Sequence, residues 1–154
     1  MIENKEELLL AMEDAVNTAK NTFPVSDENE KAYGNIGTAV HWIVDCIDRI
    51  PFGRVLEEHK PLFGAIRCVN NCLKHNRTFI RAHKSKGADF PFDFATDLGP
   101  YYVWGSLDNV KVSKKYEKNF REGKKCYNEF MRGKGVTRTL VELKEIVKIY
   151  YRDL

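Results

Sequence analysis

Arg67, Asn71 and His75 recur at every fourth position of the stretch Arg67-Cys-Val-Asn70-Asn71-Cys-Leu-Lys74-His75-Asn76-Arg77. On an α-helix, residues four apart are separated by about 40° around the axis, so a guanidinium, a carboxamide and an imidazole follow one another along one narrow strip. Such a set can hold a phosphate and exchange a proton at neutral pH. Arginine grips two phosphate oxygens at once, and histidine titrates there unperturbed. These are the ingredients of metal-free RNA cleavage, in which an imidazole takes or returns a proton while the 2'-hydroxyl attacks the adjacent phosphorus and cations stabilise the crowded phosphate. His75, Asn71 and Arg67 are therefore the candidate catalytic residues, and Lys74, Arg77 and Asn70 the candidate contacts to RNA phosphate. A solvated basic helix face, or a histidine bonded between helices, would produce the same spacing.

Other residues with chemical potential form weaker sets. Cys68 and Cys72 have the beginning of a metal-ligand spacing, but no second paired-ligand motif accompanies them, and buried thiols in a core are the alternative. His41 and Asp45, four apart, offer only two donors, so no metal site and no cofactor is expected. No glycine-rich phosphate loop or zinc-protease histidine pair is present in the sequence. Phe90, Phe92, Phe94, Tyr101, Tyr102 and Trp104 can either form a wall that stacks a flat ligand or RNA bases, or close the open side of a core.

The elements that would position these groups follow from periodicity. Leu9, Met12, Val16 and Ala19 predict a first helix over residues 4 to 22, ended near Phe23 because Pro24 disfavours helical geometry in the residue before it. Ile36, Val40, Ile43, Ile47 and Ile50 mark a second helix, with Ser26 or Asp27 available as a cap and Pro51 and Gly53 to break it. A third starts at His59 to Pro61 and is expected to run through Leu62, Ile66, Val69, Leu73 and Ile80 to about Lys84. From Gly87 to about Val112 the helical period vanishes into an aromatic-rich extended connection or small hairpin. Tyr116, Phe120, Tyr127, Phe130 and Met131 predict a fourth helix, weakened at Gly123 by roughly 1 kcal/mol relative to alanine. Leu140, Leu143, Val147, Tyr150 and Leu154 predict a last one, with a Thr139 to Glu142 capping box.

The expected fold is all-α. It is an antiparallel bundle of four to five helices with an aromatic-rich extended insertion between the third and fourth, forming a single domain over residues 1–154. The net charge of +3 permits nucleic-acid binding without requiring it. No window is long and apolar enough to span a bilayer, and the acidic start is unlike a signal peptide, so a cytoplasmic protein with no membrane partner and no disulfides is expected.

The run Asn70-Asn71-Cys72-Leu73-Lys74-His75 resembles the signature of HEPN domains, where an arginine and a following polar residue lie several positions before a histidine. The closing stretch from Tyr127 to Leu140 looks like the last helices of bacterial proteins of that group. The resemblance implies an RNA-cleaving or RNA-binding protein of a bacterial defence or toxin-antitoxin type, acting as a homodimer on RNA or with a cognate protein partner. Asn71 and His75 fall on the family's polar and histidine positions, but Asn70 stands where arginine would be and brings no positive charge. Either the cation has moved to Arg67, which lengthens the spacing to His75, or the chain is a catalytically inactive dimerisation or protein-interaction module.

Overall fold

The structure, a computed structural model, describes residues 2–74, 79–83 and 99–154. Its α-helices are α1 (Lys5–Lys20), α2 (Glu30–Asp48), α3 (Lys60–Leu73), α4 (Glu117–Phe130) and α5 (Val136–Arg152), and two short strands, β1 (Ile80–His83) and β2 (Tyr101–Trp104), lie between α3 and α4. The predicted mostly helical bundle is therefore what forms.

The second helix is the hub, because its apolar residues cover more than one face. Ala32, Ile36, Ala39, Val40, Ile43, Cys46 and Ile47 are all buried, and α2 packs against α1, α3 and α5. Each such isoleucine or valine contributes roughly 1.5 to 3 kcal/mol by leaving water. Alanines on both sides (Ala15 and Ala19 of α1, Ala32 and Ala39 of α2) are buried and keep these helices close. Asn35 at the start of α2 donates to Thr22 just past the end of α1 (2.7 Å), while the Cys46 thiol at the other end of α2 meets the Leu8 carbonyl (3.7 Å), so the two helices run antiparallel. The last carbonyls of a helix have no partner within it. In α2 the buried Cys46 carbonyl receives the Tyr151 hydroxyl of α5 at 2.7 Å.

Helices α3 and α4 form a second antiparallel pair. A Cβ placed on Gly64 would lie 3.7 Å from the Cys126 sulfur, and one placed on Gly123 would come within 2.8 Å of the Cys68 Cβ. The glycine that weakens α4 as an isolated helix is thus what lets it sit directly on α3.

The strands correct the expected course of the third helix. It stops at Leu73, and Ile80, which continues its apolar period, instead starts β1 and pairs with Trp104 in an antiparallel register. Ile80 and Trp104 are both fully buried, so tertiary pairing of a β-branched residue with an aromatic one wins over helical continuation. The Gly105 amide continues the pairing to the Phe79 carbonyl at 2.6 Å. On its other edge β2 meets the turn between α4 and α5: Gly133 donates to the Trp104 carbonyl (2.7 Å) and Trp104 to the Lys134 carbonyl (3.0 Å). Tyr102 is buried and its hydroxyl donates to the Ser26 carbonyl at 2.9 Å, fastening the hairpin to the loop before α2. Tyr101 is half-buried beside His83. For Tyr101, Tyr102 and Trp104 the arrangement is a lid on the bundle; Phe90, Phe92 and Phe94 lie outside the described residues.

The helix starts also differ from expectation. Helix α2 begins after Asn29 without a side-chain cap; Ser26 accepts the Glu28 amide (3.1 Å) and Asp27 accepts the Ala82 amide of β1 (2.7 Å). The last helix begins at Val136. Thr139 is already inside its first turn, where its hydroxyl donates to the Gly135 carbonyl at 2.9 Å, so the capping box does not form.

Replacing Gly123 with alanine should lower stability by about 1 to 3 kcal/mol in urea unfolding, the overpacking cost of forcing α4 off Cys68; an isolated helix would instead gain about 1 kcal/mol from the same change. Alkali provides a separate check. Burial raises the Tyr127 and Tyr151 hydroxyls above the ordinary tyrosine value of 10.0, so the unfolded chain loses these protons first. Stability should therefore hold below that value and fall as pH rises past it, read as the urea midpoint across an alkaline series.

Candidate functional site

Helix α3 positions the strip. It buries Phe63, Ala65, Ile66, Cys68, Val69 and Cys72, which leaves Arg67 and Asn71 exposed on the outer side, Asn70 half-buried at its edge and Lys74 exposed just past the helix end. Arg67 and Asn71 therefore share one solvent-facing side, as the spacing requires. His75 and Arg77, with Asn76 between them, lie outside the described residues.

The guanidinium of Arg67 is engaged. Its Nε donates to Asp48 Oδ1 at the end of α2 over 2.8 Å, with both side chains roughly half exposed. A guanidinium has five N–H donors, so this bond leaves others for an anion, though the carboxylate offsets much of the positive charge. Beside the pair is an open cavity of about 530 Å³ lined by Asp48, Arg49, Ile50, Pro51, Phe52, Val55, Lys60, Phe63 and Arg67. The other cations there are partnered too: Arg49 with Asp45 at 3.2 Å, and Lys60 with Glu57 and over the Phe52 ring, 5.1 Å from its centre. Lys60 lies on the same outer side of α3 as Arg67, two turns earlier, and belongs with the strip, although its place at the helix start hides it from the four-residue spacing.

A second residue missed from sequence is His59. Its Nδ1 lies 2.6 Å from the Tyr150 hydroxyl, which also accepts the Leu56 amide at 2.9 Å, and its ring stacks on Phe63 with 5.9 Å between centres. The hydroxyl and the ring nitrogen share one hydrogen bond, whose direction follows the tautomer of the imidazole. Tyr150 is ninety-one positions away, so no local pattern reveals this pair.

The alternative metal sets do not assemble. Asp45 is bonded to Arg49, while His41 packs its edge against Trp42. Cys46, Cys68 and Cys72 are buried and Cys126 half-buried, all free thiols. A hydrogen bond to Cys72, and then burial, push the Cys68 thiol up; burial does the same to Cys46. Cys46 and Cys68 are thereby kept protonated, whereas the hydrogen bond from Cys68 lowers the Cys72 thiol, which burial shields from solvent. Among the described residues no cluster of three or more histidine, cysteine or acidic side chains is arranged to hold a metal ion.

Comparison of the chain with protein-family models, curated proteins and solved structures gives no match.

The thiols give a direct check on this packing. In native protein a disulfide reagent at mild alkaline pH should label Cys126 alone at an appreciable rate, and Cys46, Cys68 and Cys72 only after unfolding; rapid native labelling of Cys68 would contradict the α3 to α4 contact.

Proposed function

We propose that the chain is an HEPN-like protein that acts on RNA in the cytoplasm as a homodimer, without a cofactor, in a bacterial defence or toxin-antitoxin setting. The observation that carries this reading is the joint exposure of Arg67 and Asn71 on one side of α3, with Lys74 exposed at the same end of the helix where the chain continues into His75. The likeness of Asn70 to His75 to the HEPN signature supplies the reaction class. Four free cysteines suit a reducing compartment, and among the described residues no helix is long and apolar enough to cross a membrane.

In the proposed reaction the RNA 2'-oxygen attacks the adjacent phosphorus and the bond from phosphorus to the 5'-oxygen breaks, leaving a cyclic phosphate and a 5'-hydroxyl. His75 carries the proton removed from the 2'-hydroxyl or delivered to the leaving oxygen. Arg67, through the N–H groups not used by Asp48, and Lys74 stabilise the charge on the phosphate, and Asn71 orients it. Asn70 and Arg77 contact neighbouring phosphates. A second copy of α3 across the dimer brings two such strips together.

A second reading, a non-catalytic interaction module on the same bundle, is favoured by the Arg67 to Asp48 ion pair, since an arginine dedicated to a carboxylate is a weaker phosphate clamp.

One experiment separates them. RNA incubated with purified protein in chelator should be cut, and His75→Ala should slow cutting by about 100-fold or more, the usual contribution of a proton-transfer group. Equal rates for wild type and variant would remove the catalytic reading, and retained RNA binding or a dimer partner without cutting would leave the interaction module.

A further inference from the structure

The cavity beside Arg67 joins apolar and cationic side chains that the strip on α3 does not use. It is walled by the end of α2, the connection that follows it and the first half of α3. Ile50 and Phe63 are buried and Val55 is half-buried, so this part of the wall is held in place by the core. Phe52 is not: at 82% it is the most exposed large apolar side chain among the described residues, although it lines the same concavity. A ring left in water beside a preformed apolar wall is surface that an occupant can cover.

The charged part of the wall is unequal in sign. Arg49, Lys60 and Arg67 line the cavity against one carboxylate, Asp48; the partners of Arg49 and Lys60, Asp45 and Glu57, are not lining residues. Arg49 and Arg67 meet their carboxylates through Nε, which leaves the terminal N–H groups of both guanidiniums for the oxygens of an anion. Both pairs are solvent-exposed. Exposed pairs hold their partners weakly, so they give way to a ligand that offers a better counter-charge. The Lys60 ammonium adds a third positive charge over the Phe52 ring.

We infer that this cavity binds a small aromatic anion, its flat ring system against Phe52 and the apolar wall and its anionic head on Arg49 and Arg67. The volume of about 530 Å³ falls in the range of small-molecule sites, roughly 300 to 1,000 Å³, and takes two fused rings with a head group. Both halves of the wall select. A neutral apolar ligand would cover the cations without returning a counter-charge, which costs them their hydration. An inorganic anion would leave the Phe52 ring and its apolar neighbours in water. The site stands whether or not α3 cleaves RNA, because nothing in it requires a proton carrier.

The test uses the full chain with anilinonaphthalene sulfonate, whose fluorescence rises in an apolar site, and with naphthoate, naphthyl phosphate and the neutral naphthalene methanol as competitors. The sulfonate should saturate at one molecule per chain, with a dissociation constant of about 100 µM or tighter. Naphthoate or naphthyl phosphate should displace it, the better of the two naming the preferred head group, and naphthalene methanol should compete about 10-fold less well. Arg49→Gln/Arg67→Gln should lower affinity about 10-fold or more, and Phe52→Ala about 5-fold or more. A control with the same charge change elsewhere, Arg121→Gln/Arg152→Gln, should bind within about 3-fold of wild type, since distant exposed charges are screened. All of these positions are exposed, and the urea midpoint of each variant establishes that it is folded. The assignment is overturned if binding does not saturate, if the neutral alcohol displaces the probe as well as the anions do, or if the double-arginine and Phe52 variants bind no more weakly than the control.

Discussion

The need to bury α2 on several sides governs this fold. A helix carrying Ile36, Val40, Ile43 and Ile47 beside Ala32, Ala39 and Cys46 cannot satisfy its apolar surface against one neighbour, so α1, α3 and α5 must all dock on it. The buried Cys46 carbonyl near its end adds a polar condition, which the Tyr151 hydroxyl meets. Because leaving a buried acceptor unpaired costs about 1 to 3 kcal/mol, that bond also fixes how far α5 extends along α2. The end of α2 then delivers Asp48 to Arg67, so the electrostatic state of the α3 strip is a consequence of core packing.

The second constraint is small residues where backbones approach. Gly123 admits Cys68 and Gly64 faces Cys126, which sets α4 tightly against α3. Gly105 has the Phe79 carbonyl 2.4 Å from where a Cβ would sit, so only glycine closes the hairpin onto that strand end. The hairpin in turn grips the turn between α4 and α5 through Gly133 and Lys134, joining the α3 to α4 pair to the α2-centred part through backbone hydrogen bonds. Tyr127 reinforces the joint, its buried hydroxyl donating to the Gly105 carbonyl.

Charge is distributed unevenly on this frame. Around the cavity at the end of α2, cations and carboxylates are interleaved, and such exposed pairs are worth at most about 1 kcal/mol each; they moderate the local field more than they stabilise the fold. On α4 the cations project outward from a helix whose inner side is fully used. Glu122 and Glu129 fall among Lys118, Arg121 and Lys125 on that side, so it too is mixed in charge, in keeping with the nearly balanced whole.

Local sequence determined the helices, their buried faces and the break after α2, because a repeat of three to four residues and a proline act within a few positions. It also placed Arg67 and Asn71 on one outer side of α3. Tertiary structure alone decided that α3 ends at Leu73, since Ile80 fits a helical period equally well until Trp104 arrives opposite it. It alone brought Asp48 to Arg67 and Tyr150 to His59, contacts between residues nineteen and ninety-one positions apart, and it turned Gly123 from a defect in one helix into the seat of another. Periodicity reports which side of an element avoids water. Which neighbour covers that side, and which charges meet at its rim, depends on the global packing.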